Sequence, residues 1–462
     1  MLGVIGIILF LALLMVLAYK GWPVILLAPV LALLAASFAL LAGGSVHLLA
    51  TYTEVFMVNA ANYVKSYYPI FLLGAIFGKV MDDAGIAKSI AHYVTNKLGT
   101  GKEIWALALA GGIITYGGVS MFVAAFALYP IGAALFRNTG IPKKFLPATI
   151  AIGVFTYSMT AIPGSPQIQN AIPMKYLGTD LFAAPVLGFI AGIIMLVLSC
   201  LWITKRVKSA IAKGEGYGDH PNEELRVFDD RELPSFGSSM VPILIVLIGN
   251  LVFSKWVMPR WDTAYLKTEF GVDPATVLGT WSLIVSLVLG IAAAVILNYG
   301  RIKSVKNSLW GGVTGSFLAI MNTASEVGYG NVIKTLVGFT IVAGALMGIS
   351  GNVLINDAII SSTLAGITGS ASGGMSIALE TFGPQLLAQA SEAGISPEVL
   401  HRVTSVAAGG LDTLPHNGAI ITLLAITGMT HRESYKDIAV ITVAIPLLAA
   451  VIIIVLGSFG LQ

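Results

Sequence analysis

Charge is scarce in this chain. Asp, Glu, Lys and Arg together make up 11% of its 462 residues, against about 25% in a soluble domain. A soluble globule of this size would have too little polar surface to cover itself. Cysteine is nearly absent: Cys200 stands alone, so no intrachain disulfide can form. There are six histidines and no H-E-x-x-H run, so a metal site, and with it an intramembrane metalloenzyme, is poorly supplied. The formal net charge is +3 with the basic residues scattered, which gives no nucleic-acid surface. No Lys or Arg precedes the apolar segment Leu2–Leu17, so no cleavable signal peptide is expected. Apolar residues are abundant instead, at 56%, with a mean hydropathy of +0.87. They fall in repeated runs of nearly membrane-crossing length, which is the pattern of a polytopic membrane protein.

The runs place spans at Leu2–Ala18, Pro23–Leu41, Tyr68–Val80, Leu181–Ile203, Met240–Val257, Val277–Asn298 and Ile438–Leu456. Ile86–Leu98 is amphipathic and is expected at the membrane interface. Ile104–Thr115 and Met121–Phe136 are short and separated by Gly117 and Gly118, as in a re-entrant hairpin. Pro163 and Pro166 break the run from Phe145 to Ile172, and Pro415 breaks the run from Leu400 to Met429. A second hairpin is expected to turn at Gly373 and Gly374. The expected fold class is an all-α polytopic membrane protein of two inverted repeats, each about five transmembrane helices plus a re-entrant hairpin. Residues 1–203 form the first repeat (hairpin near 104–136, broken helix 145–172). Residues 204–238 form a charged, Gly-containing linker. Residues 239–462 form the second repeat (hairpin near 355–390, broken helix 400–429). With the linker in the cytoplasm, the inner loops hold roughly 17 Lys and Arg against 5 outside, the bias of the positive-inside rule.

Three local matches link the halves: Asp83-Ala-Gly-Ile with Glu326-Val-Gly-Tyr, Gly117-Gly-Val-Ser120 with Gly373-Gly-Met-Ser376, and Ala161-Ile-Pro163-Gly-Ser165 with Thr413-Leu-Pro415-His-Asn417. Paired breaks at mid-membrane leave backbone groups that only protein, water or a ligand can satisfy. Half-helix N-termini attract anions. The candidate substrate-binding residues of the first half are therefore Gly118, Ser120, Thr160, Ser165, Gln167 and Asn170. Those of the second are Ser372, Gly374, Ser376, Thr413, His416 and Asn417. The bland reading of the hydroxyls is that they bond their own helix. Ionisable residues at membrane depth are costly and functional, which makes Asp412, His416, Asp357 and Glu380 the candidates for proton coupling. Asp412 could instead cap the following half-helix, and His416 could be a packing residue. Glu326, Asp82 and Asp83 are expected at helix termini.

Asn322-Thr-Ala-Ser-Glu-Val-Gly-Tyr-Gly330, Ser372-Gly-Gly-Met-Ser376 and Leu411-Asp-Thr-Leu-Pro-His-Asn-Gly418 resemble the gluconate permease (GntP-like) family of the ion transporter superfamily. The resemblance covers nearly the whole chain. Sugar-acid members carry a His-Val-Asn-Asp run where this chain reads Leu414-Pro-His-Asn-Gly418, and the overall wording is closer to the 3-hydroxybutyrate permease-like branch. The resemblance implies a multi-pass protein of a bacterial inner membrane that takes up a small organic acid, commonly with protons. It also implies a homodimer and an elevator mechanism, in which one part carrying hairpins and broken helices moves against a scaffold. No cofactor is implied beyond the coupling ion, H+ or alternatively Na+. No Arg or Lys lies at either break in the sequence, so a short monocarboxylate suits the site better than citrate. The rivals are a sodium-coupled di- or tricarboxylate carrier, a channel and an intramembrane enzyme.

Overall fold

The computed structural model describes residues 2–20, 22–41, 46–98, 101–220, 233–336, 338–415 and 417–462. His416 and the linker residues 221–232 lie outside them. Among the described residues the chain is helical throughout, without strands.

The first half runs α1 (Leu2–Tyr19), α2 (Val24–Leu41), the single turn α3 (Leu48–Ala50) and α4 (Val58–Asp83), with a π-helical stretch Thr51–Met57 joining the last two. Then come α5 (Ile86–Leu98), α6 (Glu103–Tyr116), α7 (Met121–Thr139), α8 (Leu146–Phe155), α9 (Tyr157–Thr160), α10 (Ile168–Leu177) and α11 (Pro185–Ala212). The second half has α12 (Phe236–Val252), α13 (Ala264–Phe270), α14 (Leu278–Leu297), α15 (Val305–Thr335) and α16 (Phe339–Met347). It ends with α17 (Val353–Thr368), α18 (Ala371–Glu392), α19 (Pro397–Leu411), α20 (Gly418–Thr427), α21 (His431–Ala439) and α22 (Ile445–Ser458). Among the described residues, five helical stretches are long and apolar enough to cross a membrane: Met121–Thr139, Pro185–Ala212, Phe236–Arg260, Leu278–Leu297 and His431–Ser458. The molecule is a helical membrane protein.

The helices pack in two groups. In one, α4 lies antiparallel along α15, α2 also packs on α15, α14 packs on α4, and α1 and α12 lean on α2 and α14. Gly312 lets α15 touch the backbone of Ile76, and Gly328 lets it touch the carbonyl of Phe56. In the other group α6 packs on α8 as α17 packs on α19, α10 on α18 as α20 on α7, and α11 on α8 as α22 on α19. α11 and α22 lie against each other. The groups meet where α18 crosses α15, where α10 reaches α14 and α4, where α1 touches α17, and where the turn between α6 and α7 touches α4: Gly78 of α4 faces the backbone nitrogen of Ser120.

Several sequence expectations need correction. The second reversal is not at Gly373 and Gly374. The chain turns at Gly369, whose φ of 65° is left-handed, and Ser370 caps α18 by accepting the Gly373 N–H. Gly374 instead lets α18 pack on the backbone of Ala365 in α17, so that glycine pair serves close packing rather than a turn. Glu326 is not at a helix end; it sits inside α15, 5% exposed. Asp83 does end α4, paired with Lys79 at 2.6 Å, so the Asp83–Glu326 match has no structural counterpart. The polar stretch around Glu54 and Lys65 is helical and continuous with α4. α5 buries Ile86, Ile90 and Ala91 against the body of the protein, with α6 and α12 as neighbours. α11 continues to Ala212, so the start of the 204–238 stretch is helix.

Candidate functional site

The first half-site is built from the turn between α6 and α7 and the break between α9 and α10. Pro163 and Pro166 cannot donate backbone bonds, which opens the helix there. Gly118 turns the chain with a φ of 95°, and a side chain at that position would press on Pro166 and Phe77. Ser120 precedes α7 and makes no capping bond of its own. Gln167, immediately before α10, donates its side-chain amide to the carbonyls of Thr115 (2.7 Å) and Val119 (3.1 Å) at the turn. Asn170 donates to the carbonyls of Ser165 and Leu181, both at 2.9 Å. The Ser165 hydroxyl is spent on the Ser158 carbonyl at 2.6 Å, and that of Thr160 on the Thr156 carbonyl at 3.3 Å.

The second half-site repeats this with different residues. Asn417 caps α20, accepting the N–H groups of Ala419 (2.6 Å) and Ile420 (3.0 Å). Its amide donates to the carbonyls of Gly369 (2.8 Å), at the hairpin turn, and Asp412 (2.7 Å). Ser370 and Asn417 stand 250 positions after Ser120 and Gln167 (370 − 120 and 417 − 167). In both halves, then, the amide residue that starts the second half-helix holds the hairpin turn. The cap that is the alternative reading of Asp412 belongs to Asn417; Asp412 ends α19 and keeps one carboxylate oxygen buried without a partner. The Thr413 hydroxyl goes to that of Thr442 at 2.8 Å, and Ser376 to the Ser372 carbonyl at 2.6 Å. Ser372 shares a hydrogen with Ser370 at 3.2 Å.

A carboxylate only accepts hydrogen bonds. A hydroxyl whose one hydrogen is already held by another protein oxygen cannot serve it. In this conformation that commits Thr160, Ser165, Ser376 and Thr413. Uncommitted donors remain at Ser120, the Ser370–Ser372 pair and the first N–H groups of α7, which have no acceptor within their own helix.

A cation does stand beside the first break, and sequence reasoning missed it. Arg402 of α19 is fully buried. Its guanidinium donates to the carbonyls of Ala183 (2.7 Å) and Thr160 (3.3 Å) and to Asn170 Oδ1 (3.0 Å). Ser405, one turn on, also donates to the Thr160 carbonyl at 2.9 Å, and His401 bonds Asn170 and Thr179. Thus α19 ties the loose carbonyls of the first break. Arg402 lies distant in sequence from that break, and only the packing of α10 on α19 brings them together. Asp357 is likewise enclosed, accepting from Thr404 (2.8 Å) and Ser361 (3.1 Å). Glu380 lies elsewhere, in a cavity of about 450 Å³ between α4, α10, α14, α15 and α18. Lys65, Lys175, Tyr63, Tyr67 and Tyr176 share that cavity, with the Lys175 ammonium over the rings of Tyr176 and Tyr67.

The profile of the GntP family permeases matches residues 1–459. This chain belongs to the GntP permease family. It is 42% identical over 453 residues to the transporter YxjC of Bacillus subtilis (strain 168), covering 94% of this chain and 95% of that one. The high-affinity gluconate transporter of Escherichia coli (strain K12) is 24% identical over 345 residues, with 73% of each chain covered. Among solved structures, the YdaH transporter of Alcanivorax borkumensis superposes with a TM-score of 0.58 at 14% identity, covering 87% of each chain. The MtrF protein of Neisseria gonorrhoeae gives 0.53 at 16% identity, covering 99% of this chain and 95% of that one. These two likenesses speak for the fold. Family membership makes the protein a membrane permease rather than an enzyme, of the class that moves gluconate or related acids.

Proposed function

We propose that this permease is a secondary active transporter that imports a short hydroxy or keto monocarboxylate, such as 3-hydroxybutyrate or gluconate, together with protons. The anion lies between the two hairpin turns and the two breaks. The two halves are inverted repeats, and the group holding both hairpins moves as an elevator against the group built on α4 and α15. The protein acts in a bacterial inner membrane as a homodimer, with the central linker in the cytoplasm.

The observation that carries this reading is the duplicated latch. Gln167 and Asn417 each join a broken helix to a hairpin turn, and they stand 250 positions apart, as do Ser120 and Ser370. A channel has no use for two such latched assemblies, whereas a carrier that encloses its substrate does. The latch also bears on the coupling ion. A sodium ion at a turn would have to share carbonyl oxygens that already accept an amide N–H, which favours protons. Arg402 is engaged with backbone carbonyls and Asn170, so no free guanidinium awaits the second charge of a dicarboxylate.

The test is transport in sodium-free proteoliposomes. Labelled 3-hydroxybutyrate and gluconate should each be tried in counterflow, then under an imposed pH gradient. Counterflow with accumulation driven by the pH gradient is the expected result. Accumulation that appears only with sodium would overturn proton coupling, and flux without counterflow would overturn the carrier.

A further inference from the structure

Glu326 is a carboxylic acid without a role in the site described above. It lies in the middle of α15, 5% exposed, and its Oε2 is buried without a hydrogen-bond partner. It faces Gly373 in the first turn of α18, where any Cβ would run into the carboxylate. The α18 N–H groups at that point are spent on Ser370: Gly373 N–H donates to its Oγ (3.1 Å) and Gly374 N–H to its carbonyl (2.9 Å).

The charged and titratable surroundings can be followed element by element. α2 and α16 contain no titratable residue. The π-helical stretch carries Tyr52 and an exposed Glu54. α4 brings Tyr63, which stands beside both Glu326 and Ser376, and further off Lys65 and Tyr67 in the cavity. α18 brings Glu380, which also lines the cavity. Tyr63 is therefore the titratable side chain that faces Glu326, and its own hydroxyl is buried without a partner. An ionised carboxylate here would have no countercharge, and its Oε2 receives no hydrogen bond in this conformation, which makes the charged form costly. Tyr63 and the neighbouring Val327 both line the cavity of about 450 Å³, so the cavity comes to within one residue of the acid.

What separates Glu326 from Asp357 and Asp412 is the surface it lies on. Asp357 is enclosed by α17 and α19, and Asp412 by the second break, all within the group that carries the hairpins. Their surroundings travel with them. Glu326 lies where that group meets α15, so its surroundings are remade when the groups shift. Only a group whose proton affinity differs between two conformations can link a proton to the change between them.

We propose that Glu326 is the proton-binding residue of the transport cycle, protonated while the first turn of α18 covers it and ionised when that turn withdraws. The proposal rests on the proton-coupled carrier reading. One proton adds to one carboxylate oxygen on docking and leaves as H+ to water on undocking; no other bond changes.

The test uses the full-length protein in sodium-free proteoliposomes. One pH unit drives about a tenfold accumulation of a monocarboxylate per coupled proton. Wild type should reach that ratio. Glu326→Gln, which mimics the protonated acid, should still exchange labelled acid above protein-free vesicles, but its accumulation ratio should fall to about 1. A tenfold ratio in Glu326→Gln overturns the proposal while leaving the carrier reading intact. Absence of pH-driven accumulation in wild type sinks both. Should Glu326→Gln be lost from the membrane, the wild-type protein still decides. A hydrophobic carbodiimide, which attacks protonated buried carboxyls, should modify Glu326 at acid pH and progressively less as pH rises, read by peptide mass spectrometry. Modification of Asp357 and Asp412 without Glu326 at every pH would overturn the proposal.

Discussion

Asn417 makes four hydrogen bonds with one side chain, and they can be pulled apart by mutation. Its Oδ1 starts α20 by accepting two N–H groups, while its amide nitrogen holds the Gly369 and Asp412 carbonyls. Asn417→Ala removes both functions. The lost cap costs about 1 kcal/mol, and two carbonyls left without a donor cost about 1 kcal/mol each at the low end of the usual range. The total is about 3 kcal/mol, of which the Gly369 bond that holds the turn is about 1 kcal/mol, or roughly a fivefold weaker docking equilibrium. Asn417→Asp separates the two roles. The carboxylate still caps α20, helped by about 0.5 kcal/mol from the helix dipole, but it presents negative oxygen to two carbonyls in place of an N–H. Asn417→Asp should therefore accumulate in the membrane at near wild-type levels, measured by fluorescence-detected size exclusion. Its counterflow rate in proteoliposomes should be at least tenfold lower. Asn417→Ala should fall in both measurements. If Asn417→Asp exchanges substrate at the wild-type rate, the bond to Gly369 is not needed for transport and the latch argument fails.

The other predictions follow from the same geometry. Gly118→Val should abolish uptake while the protein still reaches the membrane, since the turn there has a φ of 95° and is wedged between Pro166 and Phe77; normal uptake would make the turn an ordinary loop. Ser120→Ala should raise KM about fivefold, equivalent to roughly 1 kcal/mol of hydrogen bonding, whereas Ser376→Ala, whose hydroxyl is already bonded to Ser372, should leave KM within about twofold. Arg402→Lys should lower thermal stability in detergent by about 3 kcal/mol or more, because one ammonium cannot serve carbonyls that the guanidinium reaches from several nitrogens; an unchanged melting temperature would contradict this. A cysteine at Gly216, with the buried Cys200 replaced, should react with an impermeant thiol reagent in inverted vesicles and not from outside intact cells.

Much of the helical plan was legible because it depends on local chemistry. Apolar run lengths announce helices such as α11, α12, α14 and the joined α21–α22, and prolines announce the openings at residues 161–167 and 412–415. The first hairpin turn was readable from Gly117 and Gly118, since one of them adopts a positive φ. The second misled, because Gly373 and Gly374 look alike in sequence yet serve to bring α18 close to α15 and α17. A glycine pair signals a turn and a tight contact with the same letters, and only the partner distinguishes them.

The same limit governs the polar residues, where it bears directly on function. Sequence proximity to a break singled out Ser165, Thr160, Ser376 and Thr413. In the fold their hydrogens are held by Ser158, Thr156, Ser372 and Thr442. Arg402 was passed over because it lies far in sequence from the break it serves, and Glu326 because it was expected at a helix terminus, whereas it stands inside α15. Yet one ties the carbonyls of the first break and the other faces the first turn of α18. In a membrane protein the cost of a charge is set by what faces it. That is decided by helix packing, α10 on α19 for the arginine and α18 on α15 for the glutamate. An acid beside a break but enclosed within one group of helices feels the same surroundings throughout a rigid-body motion. Under the elevator motion proposed above, an acid at the seam between groups feels two. The reasoning that ranks candidates by distance to the substrate therefore finds binding groups, and the search for a coupling group has to follow the seam.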